Sequence, residues 1–116
     1  MGPSKLLVVL APRVRRDDLV DLLMAREELS GFTLLPALGY SREHSHFSTR
    51  EQVVGYRDVD RFEILLSPEA LPALLDALAR AGGTQPLRYW TLDCVETGPE
   101  RGTATTADDD NNIAER

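Results

Sequence analysis

The sequence predicts an α+β fold in the order β-α-β-β-α-β, and three observations carry that prediction. Two runs of leucines at helical spacing alternate with four short segments rich in aliphatic, aromatic or β-branched residues. Glycine and proline punctuate the joins. The chain of 116 residues is long enough for one modest core and too short for two domains.

KLLVVLA at 5–11 is a continuous apolar run, the pattern of a strand covered on both faces or lying centrally in its sheet. A helix is predicted over 16–29, with Leu19, Leu22 and Leu23 at helical spacing and Asp17 and Asp18 in the first turn, where the helix dipole favours acids. Ser30 and Gly31 stop it. FTLLPAL at 32–38 reads as a strand, and Pro36, which lacks an N–H, places that strand on an edge. Residues 61–67 alternate, with Phe62, Ile64 and Leu66 on one face of a half-buried strand. Ser67 as N-cap, Pro68 at the first helical position and Glu69 in the first turn open a second helix. Leu71, Leu74, Leu75 and Leu78 give it an apolar stripe, and Gly82 and Gly83 end it. PLRYWTLDCV at 86–95 supplies the last strand.

This order closes into a ferredoxin-like, four-stranded antiparallel sheet with both helices on one face. The first and third strands are then central, and they are the two aliphatic-rich ones. The other face stays uncovered, and apolar residues directed at it, such as Leu65 or Trp90, favour burial against another copy.

Composition bounds the function. With 42% hydrophobic and 28% charged residues the chain has the balance of a globular domain. No apolar run approaches the roughly 20 residues of a membrane span, and 5–11 is short for the core of a signal peptide, so direct membrane insertion and secretion are not expected. A single Cys94 fits a reducing cytoplasm. Of the net charge of −6, the stretch 98–116 carries −3, from five acids and two arginines. It holds one large aliphatic residue, Ile113, and reads as a disordered acidic tail behind a folded domain at 1–97. A mildly acidic domain argues against nucleic acid as a partner.

One stretch fits neither helix nor strand: GYSREHSHFSTREQVVGYR at 39–57, which holds both histidines of the chain. Its sharper reading is a ligand-responsive arm. His44 and His46, at i and i+2 on an extended segment, project to one side and suit a divalent metal. Three or four ligands are needed, so Glu43, Glu51 or a neighbouring subunit would have to complete the site. Arg42, Arg50 and Arg57 suit an anion or an acidic partner surface. The plainer reading is a solvated loop with ordinary histidines and solubilising arginines.

GFTLLPALGYSREHSH resembles the segment of PII signal proteins that leads from the second strand into their T-loop, with Gly39, Tyr40 and Arg42 on the family's Gly, aromatic and Arg positions. RFEILLSPEALPALLDALARA is similar to the third strand and second helix of that superfamily. EQVVGYR, FEI, LPALLDAL, YWTL and ETG look more narrowly like the short PII-like branch catalogued as domain of unknown function 3240, whose genes commonly lie beside heavy-metal efflux systems. The resemblance covers roughly 5–97. It implies a homotrimeric regulatory protein that binds a small ligand or divalent metal, with Gly39, Tyr40, Arg42, Arg50 and Arg57 at the ligand or partner site and a metal-efflux transporter in the membrane as partner. It does not imply ATP binding of the PII type. Cys94 and Glu96 stand where PII proteins carry two arginines, and losing two cations while gaining a carboxylate disfavours a triphosphate. A monophosphate or no nucleotide is expected instead. Two other readings remain: a CutA-like trimer with a structural or metal-tolerance role, and a small ferredoxin-fold enzyme using His44 or His46 as a base. No nucleophile–base pair is visible beside those histidines, so the expectation is that the protein is not an enzyme.

Overall fold

The computed structural model describes residues 4–41, 55–81, 83 and 85–99. Its elements run β1 (Ser4–Pro12), a 3-10 turn (Arg13–Arg15), α1 (Arg16–Met24), β2 (Thr33–Gly39), β3 (Arg57–Leu66), a 3-10 turn (Pro68–Ala70), α2 (Leu71–Arg80) and β4 (Arg88–Cys94). The strands form one antiparallel sheet in the order β2-β3-β1-β4, the ferredoxin-like arrangement. The aliphatic β1 and β3 are central, and β2, which carries Pro36, is an edge, as the missing N–H requires.

Successive side chains of a strand alternate between faces, and paired residues share one. Leu7, Val9 and Ala11 of β1 lie opposite Ile64, Phe62 and Asp60 of β3, and this is the face the helices cover. Leu19 and Leu23 of α1 and Leu74 and Leu78 of α2 complete the core, with Leu71 and Leu75 half-buried beside them. Each large side chain buried there contributes about 1.5–3 kcal/mol. Phe32, just before β2, packs its ring on Phe62 at 6.0 Å between centroids. The open face carries Leu35 (41% exposed), Leu65 (40%), Trp90 (37%) and Leu92 (49%). Val8 is fully buried on that same face, between its cross-strand neighbours Glu63 and Trp90. Arg61 lies over the Trp90 ring at 5.7 Å and donates to Glu63.

Two boundaries differ by more than two residues from those the sequence predicts. α1 ends at Met24 rather than at 29, and the chain tightens into turns, Arg26 N–H donating to the Leu23 carbonyl and Leu29 N–H to that of Arg26. Glu27 and Glu28 would place acids against the negative end of the helix dipole, which disfavours extending it. β3 begins at Arg57 rather than 61, because its first residues pair with the end of β2 down to Gly39↔Arg57. The second helix opens as a 3-10 turn, and Ser67 caps it without a side-chain hydrogen bond.

Asp60 is the one buried charged residue among those described. Its cross-strand neighbours, Ala11 and Pro36, offer no side-chain donors. Arg16, the first residue of α1, supplies them: Nε donates to Oδ2 at 2.9 Å and Nη2 to Oδ1 at 2.6 Å. That hydrogen bonding raises the Arg16 guanidinium further above its ordinary value, against partial desolvation. The fork ties the start of α1 to the centre of the sheet.

Arg16→Ala, which removes both hydrogen bonds to a buried carboxylate and leaves only Arg13 at 3.9 Å, is expected to lower the melting temperature by about 10 °C or more. Asp93→Asn, which breaks the exposed Lys5–Asp93 pair, is expected to lower it by only about 2–4 °C. Circular dichroism melts of the two variants check this ordering. Glu28 provides a pH-dependent counterpart. Hydrogen bonds from its own backbone N–H and from Arg26 hold its carboxyl below the ordinary value of about 4.5. A depressed folded pKa stabilises above the unfolded value and is lost as pH falls through the folded one. The parent should therefore melt slightly above Glu28→Gln near neutrality, and the gap should close below about pH 4.5.

Candidate functional site

The antiparallel pairing gathers three connections at one end of the sheet. β1 ends at Pro12 opposite Val59, β2 ends at Gly39 opposite Arg57, and β4 starts at Arg88 opposite Leu10. The start of the turn after β1, both ends of the arm between β2 and β3, and the end of the connection from α2 to β4 therefore lie there.

The arm has a closed stem. Beyond the Gly39↔Arg57 pair, the rings of Tyr40 and Tyr56 pack at 5.8 Å with an interplanar angle of 49°. Such aromatic pairs contribute about 0.5–1.5 kcal/mol beyond the area they bury. Gly55 has φ +89°, which side-chain-bearing residues rarely adopt, and it turns the chain back toward β3. Of the residues the sequence assigns to ligand or partner binding, Gly39, Tyr40 and Arg57 stand together at this stem. Arg42 and Arg50 lie outside the described residues, as do the two assigned to metal, His44 and His46. Most of the expected acidic tail, from residue 100 onward, also lies outside them. Among the described residues, no group of three or more His, Cys, Asp or Glu side chains could hold a metal ion, and no helix is long and apolar enough to cross a membrane.

Sequence reasoning passed over the arginines of the turn after β1. Arg13 lies 3.9 Å from Asp60 and 4.0 Å from Asp58, so it shares the carboxylates that close β3 onto the loop end. Arg15 instead reaches across to the α2–β4 connection. Gly83 has φ +104°, and a Cβ on it would stand 2.7 Å from Arg15 Nη1 and 3.0 Å from Cζ. The run PRVRRDD directly after a strand was the available signal, but nothing in it tells which arginine turns inward and which reaches another loop. Arg15, Arg57, Arg80 and Arg88 all lie toward this end and form no ion pair among the described residues. Beneath the α2–β4 connection is a cavity of about 510 Å³ walled by β1, α2 and β4. Cys94 closes β4 as a half-buried free thiol.

The model of the family described as protein of unknown function (DUF3240) matches residues 1–100. A DUF3240 family protein from Shewanella baltica OS155, known from its crystal structure, is 36% identical. It aligns over 92% of this chain and all of its own, with a TM-score of 0.64. A Bacillus cereus protein related to NIF3 superposes with a TM-score of 0.62 at 12% identity, over 84% of this chain and 27% of its own, and that likeness shows the fold alone. No curated protein matches. With the family model spanning most of its length and a solved member aligned over 92% of it, the chain belongs to the DUF3240 family.

Proposed function

We propose that the protein is a PII-like regulatory protein rather than an enzyme. In this reading copies assemble through the open sheet face as a homotrimer, and the arm at 39–57 responds to a small ligand or divalent metal and modulates a partner. A metal-efflux transporter is the partner that the family resemblance suggests. The observation that carries the reading is the arm's architecture. β2 and β3 stay paired to the last residue, Gly39↔Arg57, and a tyrosine pair closes the stem. Yet the chain from 41 to 55 far exceeds the about 2–5 residues a hairpin needs. A long connection on a well-anchored stem is a common form of binding loop, since the scaffold fixes where it emerges and the loop supplies contacts. Tyr40 at the stem is 72% exposed, free to meet a ligand or partner, and Arg57 beside it brings a cation with no ion pair among the described residues. Within the arm His44 and His46 would supply two metal ligands. The described part of the chain offers no cluster to replace them.

Titration calorimetry with Zn²⁺ and Cu²⁺ tests this role. The parent is expected to bind one of them, and the His44→Ala, His46→Ala double variant to lose that binding while keeping its melting temperature. Neutral imidazole is the ligating form, so affinity should fall as pH drops below about 6.5. A double variant that binds as tightly as the parent would remove the histidines from the site.

A further inference from the structure

We propose that the outer edge of β4 pairs with the β4 of a second copy, antiparallel about a twofold axis at Thr91, so that two sheets join side by side. The contact lies on the sheet's edge rather than its open face. It depends neither on the regulatory role nor on assembly through that face.

The two outer edges of the sheet are built differently. β2 carries Pro36, which lacks an N–H and interrupts any further ladder. β4 carries no proline and no residue of positive φ, and its centre holds Tyr89, Trp90 and Thr91, all residues that favour strands. Among the described residues β4 pairs with β1 alone, so one row of its backbone N–H and C=O groups has no ladder partner there. A regular edge of this kind is a template for another strand.

The strand's own sequence selects its partner and direction. Arg88 stands at its start and Asp93 near its end, both exposed. A second β4 running antiparallel brings each cation beside the other copy's anion, whereas a parallel one sets like charges together. Centring the pair on Thr91 overlaps all 7 residues of the strand: Arg88 opposite Cys94, Tyr89 opposite Asp93, and Trp90 opposite Leu92. Paired residues share a face, so the half-exposed Trp90 and Leu92 of the two copies meet on the open side. A shift of one residue would set the open face of one copy beside the helix-covered face of the other. One strand pair is a small contact, below the about 1,200 Å² of a standard interface, so concentrated protein populates it and a disulfide traps it.

Oxidative cross-linking of the full chain in concentrated solution tests the proposal, with Cys94→Ser as the background. Thr91→Cys places a thiol on the axis, about 4.5–5.5 Å between Cα atoms from its counterpart and within reach of a disulfide. Residue 91 faces the helix-covered side, opposite Leu7, so assembly through the open face cannot bring two such thiols together. Asp93→Cys is the control, since in this register it stands more than about 13 Å from its counterpart. Thr91→Cys is expected to form a two-chain disulfide species at least about tenfold faster than Asp93→Cys. Tyr89→Cys combined with Asp93→Cys, exposed positions that face each other in this register, should cross-link as well and does not rely on the half-buried Thr91. Adding Leu65→Glu, which charges the open face on β3 with β1 between it and β4, should leave these links in place. Melting temperatures matching that of the Cys94→Ser background show that the fold is kept. No two-chain species from either design, equal rates for Thr91→Cys and Asp93→Cys, or a link that Leu65→Glu abolishes would each overturn the proposal.

Discussion

A four-stranded sheet has two faces, and in this chain both helices lie on the same one, because each strand–helix–strand unit crosses over with the same hand. The inward face takes Leu7, Val9, Phe62 and Ile64 and is sealed by the leucines of α1 and α2. The outward face has no helix, yet it is not a polar surface. Leu35, Leu65, Trp90 and Leu92 stand on it half-exposed, and Arg61 covers the Trp90 ring only in part. Apolar area left in water on a rigid, nearly flat sheet favours association with a matching surface, and a second copy of the chain always presents one.

The same topology decides where the connections emerge. Because the strands alternate in direction, the start of the β1 turn, both ends of the arm and the end of the α2–β4 connection fall at one end of the sheet. The Arg16–Asp60 fork sits at the junction. It anchors the first turn of α1 to β3 a few residues from the arm's stem, so the stem emerges from a fixed part of the molecule. A buried carboxylate held by one fork is costly to misplace, which favours a single register of β3 against β1. Arg13 and Arg15 flank the fork and face different loops, so one short turn touches both the arm's stem and the glycine-bearing connection.

Much of the fold was legible from periodicity. Strict alternation at Phe62, Ile64 and Leu66 and the leucine stripe of α2 each admit one burial pattern: the three strand residues and Leu74 and Leu78 are buried in it, and Leu71 and Leu75 half-buried. Pro36 fixed an edge because its missing N–H is a covalent fact rather than a tendency. What periodicity missed was decided by charges. Asp58 and Asp60 fall outside the strand read from the sequence, since a buried aspartate is recognised only once its arginine is known, and Arg16 lies 44 positions away. The early end of α1 has the same origin, with Glu27 and Glu28 outweighing the apolar spacing of Leu29. The cavity could not be read at all, because it arises where α2 and the α2–β4 connection stand off from β1 and β4. Of the candidate site, Gly39, Tyr40 and Arg57 could be placed by their position beside predicted strands, but the partnership of Arg15 with Gly83 could not.

In the proposed reading, assembly through the open face joins these features into one regulatory molecule, and Trp90 is the residue on which that proposal turns. Multi-angle light scattering of the parent and of Trp90→Glu at micromolar concentration tests it most directly. Three chain masses for the parent and one for the variant, with the variant's circular dichroism spectrum retained, is the predicted result. A parent that runs as a monomer, or a Trp90→Glu variant that keeps the parent's mass, would contradict it.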